Sequence, residues 1–162
     1  MRLFIKNKMV SLGEGSYIID ENKNNVYNVK GKVFSFTRKK FLYDMEGNLL
    51  FEIRNKFFRL FKNSAYILDA NGNTVMKIKD RLFSMTFDIE ECIENIELKG
   101  KFMEGYHVYK DGIEIGFFKL SRDLLSVFVR DAYVLDVFSF EHTNLLAAMV
   151  IAYDNIRDNN RN

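Results

Sequence analysis

Four aspartates stand at the ends of apolar runs, Asp20, Asp44, Asp69 and Asp111, the first three spaced 24 and then 25 residues apart. Recurring carboxylates could hold calcium or exchange protons. A calcium loop of the EF-hand type needs oxygen ligands at alternating positions, closed by a glutamate. The nearest approach is Asp69-Ala70-Asn71-Gly72-Asn73, which continues to Val75, Lys77 and Asp80 and lacks that set. Each aspartate instead fits a turn in which a short carboxylate caps its own backbone.

The other chemically capable residues are scattered. His107 and His142 are the only histidines, and Cys92 the only cysteine. A zinc site wants four clustered ligands, so the histidines read as structural or surface residues. Glu90, Glu91 and Glu94 flank Cys92 and would raise its thiol pKa, which opposes a reactive thiolate. Gly13-Glu14-Gly15 is no phosphate loop, since no helix follows it. We assign no catalytic residue, metal or cofactor. One cluster remains, and it is basic: Arg38, Lys39, Lys40, Arg54, Lys56 and Arg59, with Lys62 beyond and Phe57, Phe58 and Phe61 interleaved. Such a rim could hold a phosphorylated headgroup, at about 1 kcal/mol per basic residue near an anionic surface. The competing reading is a solvated surface whose lysines blunt strand edges.

These residues must be positioned by strands. Apolar runs lead into Asp turns and out into a second run three times, as in Tyr66-Ile67-Leu68-Asp69-Ala70-Asn71-Gly72-Asn73 followed by Thr74-Val75-Met76-Lys77-Ile78. This is the pattern of β-hairpins. A fourth copy turns at Asp111-Gly112, and connecting strands are expected at residues 32–37, 57–62 and 82–89. The 16 Phe and 8 Tyr suit pleated packing, and with no proline the turns fall to Gly, Asn and Asp. Charge is nearly balanced, 24 Lys and Arg against 22 Asp and Glu, so nucleic acid is not an expected partner.

The decisive segment comes last. Leu145-Leu146-Ala147-Ala148-Met149-Val150-Ile151-Ala152-Tyr153 is apolar on every side. A surface helix needs only one apolar stripe, so this one must be enclosed. Nine residues cannot cross a bilayer, which takes roughly 20. The helix is expected to start near the N-cap Ser139 and end about Ile156, with the polar stretch from Asp154 onward frayed. The remaining chain then forms a closed antiparallel barrel around it, in one mainly β domain over residues 1–157 with a polar tail at 158–162.

The hairpin at residues 66–73, the matching Phe41-Leu42-Tyr43-Asp44-Met45-Glu46-Gly47-Asn48, and the helix from Phe140 through Tyr153 together resemble the tubby C-terminal fold, and in particular its LURP-one-related branch. The resemblance implies a barrel of about twelve strands around a central hydrophobic C-terminal helix, shared with phospholipid scramblases. Tubby domains bind phosphoinositides, whereas bacterial and plant members of the LURP-one-related branch mostly lack an assigned activity.

Two functional expectations follow. The first is a non-enzymatic binding domain that offers its basic rim to anionic phospholipid headgroups or a protein partner. The second is a lipid-handling protein or enzyme with a cavity between helix and wall, using a perturbed carboxylate among Asp88, Glu90 and Glu91. The lone cysteine and a polar start without a signal-peptide pattern suggest a cytoplasmic, soluble protein with no transmembrane span.

Overall fold

The computed structural model describes residues 1–6, 16–32, 37–56, 64–81, 86–101, 103–121 and 132–159. Among the described residues twelve strands precede the helix: β1 (Arg2–Lys6), β2 (Ser16–Asp20), β3 (Asn25–Gly31), β4 (Lys40–Tyr43), β5 (Leu49–Asn55), β6 (Ser64–Leu68), β7 (Thr74–Arg81), β8 (Thr86–Cys92), β9 (Ile96–Lys101), β10 (Gly105–Lys110), β11 (Ile113–Ser121) and β12 (Ala132–Val137). A 3₁₀ turn, Phe140–His142, leads into α1 (Thr143–Asn159). Every ladder is antiparallel, and the hydrogen-bonded order is β8-β7-β6-β5-β4-β3-β2-β1-β12-β11-β10-β9. Strands adjacent in sequence are therefore neighbours in space, and β1 closes the meander by pairing with β12.

The barrel is nearly closed. Its order ends at β8 on one side and β9 on the other, leaving a seam between two consecutive strands. Charged side chains line both edges, Asp88, Glu90 and Glu91 on β8 and Glu97, Lys99 and Lys101 on β9. Such charge discourages edge-to-edge aggregation. Amides of β8 and β9 facing the seam are expected to exchange with deuterium well before those of β6 or β12, because local opening costs least where ladder bonds are missing. Uniform protection through β8 and β9 would refute an open seam.

Turn chemistry sets the lower end of the barrel. Asp20, Asp44 and Asp69 adopt one arrangement: Oδ1 accepts from the backbone N–H two and four residues on, and Oδ2 from the amide of Asn24, Asn48 or Asn73. Those asparagine amides, with the backbone donors, hold all three carboxylates below their usual pKa. The turn also needs one left-handed residue, which is Gly47 in the second copy, Gly72 in the third and Lys23 in the first, with φ of 90°, 86° and 68°. A side chain at positive φ is strained, so Lys23→Gly is expected to stabilise the protein by about 1 kcal/mol, read as a rise in thermal midpoint.

Each of the four hairpins carries one bulge at the same place. Ile18 pairs with Tyr27 and Ile19 with Asn25, which leaves Val26 extra; Leu50, Val75 and Ile115 are its counterparts. A bulge puts consecutive residues on one face. Val26-Tyr27, Leu50-Phe51 and Val75-Met76 accordingly all pack on the core.

That core is the helix. Leu145 through Tyr153 are all buried, with no residue more than 6% exposed. The small side chains of Ala147, Ala148 and Ala152 let the walls approach. Gly116 on β11 does the same from outside, since a Cβ there would lie 2.9 Å from Leu146 Cδ1. Near the far end Tyr153 is ringed by Phe87, Tyr106, Phe118 and Tyr133, at centroid distances of 4.6, 5.1, 5.4 and 5.6 Å. Arg157 donates to the Tyr133 hydroxyl at 3.1 Å.

Several expectations need correction. Ser139 opens the 3₁₀ turn rather than the helix, and its hydroxyl contacts His142 Nδ1 at 2.9 Å instead of capping backbone. The chain does not fray from Asp154: Asp154 and Asn155 are 1% exposed, and α1 runs on to Asn159 because both find buried polar partners. Lys32 and Thr37 lie outside any strand, with 33–36 outside the described residues, as is 57–63. The strand expected at 82–89 is described from Thr86 and extends to Cys92.

Candidate functional site

The end of the barrel at which α1 finishes is basic. Segments 30–32, 37–40 and 54–56, at the upper ends of β3, β4 and β5, contain Lys30, Lys32, Arg38, Lys39, Lys40, Arg54 and Lys56 and no carboxylate. Hydrogen bonding explains the convergence. Lys32 N–H donates to Lys39 O at 2.9 Å, and Asn55 N–H to Thr37 O at 2.7 Å, which fastens the β3–β4 connection against β5. Arg38 takes a left-handed backbone, φ 48°, at this corner, and its carbonyl accepts from the Asn155 side chain of α1 at 3.1 Å.

Strand alternation divides the cluster. Lys40 pairs with Ile53, which faces the core, so Lys40 is turned inward and buried, its Nζ 3.2 Å from Asp154 Oδ2 on the helix. It locks helix to wall and is not part of the outer rim. Lys39 and Arg54 face outward on either side of Glu52, at 2.8 and 3.7 Å from its Oε1. Lys56 is exposed, and Arg59 lies outside the described residues, as do Phe57, Phe58, Phe61 and Lys62. Lys30 and Lys32 were not foreseen. Lys30 stands 5.2 Å from the Tyr43 ring centroid, and Lys32 adjoins Lys39. The signal that would have found them is the β3–β4 pairing, in which Lys30 faces Phe41.

The opposite end, where α1 begins, has the reverse character. Segments 1–2, 20–24, 44–48, 69–73, 93–95, 110–114 and 136–144 hold ten carboxylates against Arg2, Lys23 and Lys110. Both ends complement the helix dipole, whose positive pole is at its start and negative pole at its finish. At the acidic end His142 is buried, with Lys110 Nζ 2.9 Å from its Nε2. Glu94 Oε2 in turn lies 2.7 Å from Lys110 Nζ. The ring's Nδ1 lies 2.9 Å from Ser139 Oγ and 3.4 Å from Glu141 Oε1, and its Nε2 also lies 3.4 Å from Glu94 Oε2.

The remaining candidates sit on the wall. His107 Nδ1 is 2.6 Å from Glu114 on the outer face. Burial, more than the nearby Glu94, pushes the Cys92 thiol up. Glu90 hydrogen-bonds Lys77 and Lys79, which hold it down at about 2, the opposite direction from a general acid. Among the described residues no group of three or more His, Cys, Asp or Glu is placed to hold a metal, and no helix is long and apolar enough to cross a membrane.

The described residues thus form a nearly closed twelve-stranded antiparallel barrel threaded by its own C-terminal helix, basic at one end and acidic at the other. The LURP-one-related family model matches residues 1–154, and the chain belongs to that family. A crystal structure of a protein from Arabidopsis thaliana has a similar fold, with a TM-score of 0.58 and 18% sequence identity, covering 94% of this chain and 89% of that one. Among curated proteins no match is found.

Proposed function

We propose that this is a non-enzymatic binding domain whose basic end recognises anionic phospholipid headgroups. The observation that supports it is the run of cations, Lys30, Lys32, Arg38, Lys39, Arg54 and Lys56, brought together at the upper ends of three strands with Glu52 as the acidic side chain between them. Lysine and arginine so gathered raise the local concentration of anions and act additively at a charged surface.

The test is vesicle sedimentation at low and high salt, with phosphatidylcholine alone and with phosphatidylserine added. Salt-sensitive binding to the anionic vesicles is expected. At about 1 kcal/mol per basic residue, the triple variant Lys32→Gln, Lys39→Gln and Lys56→Gln should lower partitioning about a hundredfold. Lys40 is left intact because it supports the fold. Binding that ignores salt and the triple variant, or no binding to anionic vesicles at low salt, would reject the proposal.

A further inference from the structure

We infer that the acidic end of the barrel is a second docking surface, one that takes a protein segment combining Lys or Arg with apolar side chains. Large apolar residues stand out into solvent there: Ile93, Ile113, Phe138 and Phe140 are 71, 71, 56 and 71% exposed. Phe138 and Phe140 flank the entry of the helix, Ile113 begins β11 and Ile93 occupies the β8–β9 connection, segments tied together by backbone hydrogen bonds from Phe138 N–H to Ile115 O and from Asp111 N–H to Asn95 O. Apolar residues exposed on neighbouring segments and bordered by polar ones are the kind of patch that marks an interaction site.

Charge identifies the occupant. Among the carboxylates of this part of the end, Asp136 and Glu94 are offset by Arg2 and Lys110, which leaves Asp111, Glu114 and Glu141 in excess as an acidic border. Glu141 is 76% exposed. Such a surface repels anionic lipid and the acidic surfaces of other proteins while attracting a basic segment. It is separate from the proposed lipid rim, lying at the other pole of the helix, so the two can be occupied together. Apolar anchors buried within a charged border are the usual division of labour at an interface, the anchors giving affinity and the border selecting the partner.

The probe is a dye-labelled amphipathic Leu/Lys peptide, with a Leu/Glu peptide as control, followed by fluorescence anisotropy on the intact protein. The Leu/Lys peptide should bind and the Leu/Glu peptide should not. Phe138→Ser with Phe140→Ser should weaken binding about tenfold or more, since two exposed rings become buried in the complex, and Glu141→Lys should weaken it further. The triple glutamine variant of the basic rim should bind the peptide as the wild type does, which separates this inference from the lipid proposal. Circular dichroism confirms that each variant is folded. Equal binding of both peptides, or indifference to the two serine substitutions, would overturn the inference. So would neutral-vesicle binding that those substitutions abolish, which assigns the surface to lipid, or concentration-dependent self-association that they abolish, which assigns it to a second copy.

Discussion

Asp154→Ala is expected to lower stability by about 3–5 kcal/mol, because it strands a buried ammonium. Lys40 lies inside the barrel with its Nζ 3.2 Å from Asp154 Oδ2, and both residues are buried. Breaking such a pair from one side costs far more than the pair contributes, since an uncompensated charge is left in a medium that solvates it poorly. Replacing both partners by apolar residues of similar size avoids that cost. Lys40→Met with Asp154→Leu should therefore recover most of the loss. Chemical denaturation of Lys40→Met, Asp154→Leu and the double variant measures the cycle; an Asp154→Ala protein as stable as wild type would show that the ion pair does not fix the helix.

The second large effect concerns the contact between helix and wall. Leu146 is fully buried, and its methyl groups approach Gly116 on β11. Leu146→Ala is expected to cost about 3–5 kcal/mol, the lost transfer energy plus the cavity left beside a β-strand that cannot collapse onto it. Gly116→Ala alone should also destabilise, by about 1–3 kcal/mol, because its Cβ would meet Leu146 Cδ1 at 2.9 Å and the Asp136 carbonyl oxygen at 3.1 Å. Together the two should be less harmful than their sum by roughly 1 kcal/mol, since the new methyl enters the vacated space. The carbonyl stays where it is, so recovery is partial. Strict additivity in urea titrations would mean that these side chains do not share a packing site.

Much of this architecture is visible in the chain before any coordinates. A helix apolar on all sides has few places to go, and Leu145 to Tyr153 are buried as that argument requires. The Asp turns are equally legible, because an Asp four residues before an Asn supplies its own hydrogen-bond acceptors. Strand facing was less so. In Lys40-Phe41-Leu42-Tyr43 the two aromatics would ordinarily claim the interior, yet Lys40 and Leu42 take it. The deciding partner, Asp154, is 114 residues away. An acid continuing an otherwise apolar helix was the available hint, as a buried carboxylate must find a cation. The basic end was only half read for a similar reason: Lys30 and Lys32 join Lys39 through a strand pairing, not through sequence proximity. The polarity of the whole molecule was hidden by its near-neutral total, since opposite charges at the two poles cancel in composition.

The order of elements along the chain has a kinetic side. Twelve strands are made before the segment that fills them, and β1 must wait for β12, whose paired residues lie as far apart as Arg2 and Asp136. Closing so long a loop before the reward of packing arrives makes for slow acquisition of structure. During synthesis the hairpins emerge with their inward faces bare, so charged strand edges guard the growing polypeptide against aggregation until its final turn docks.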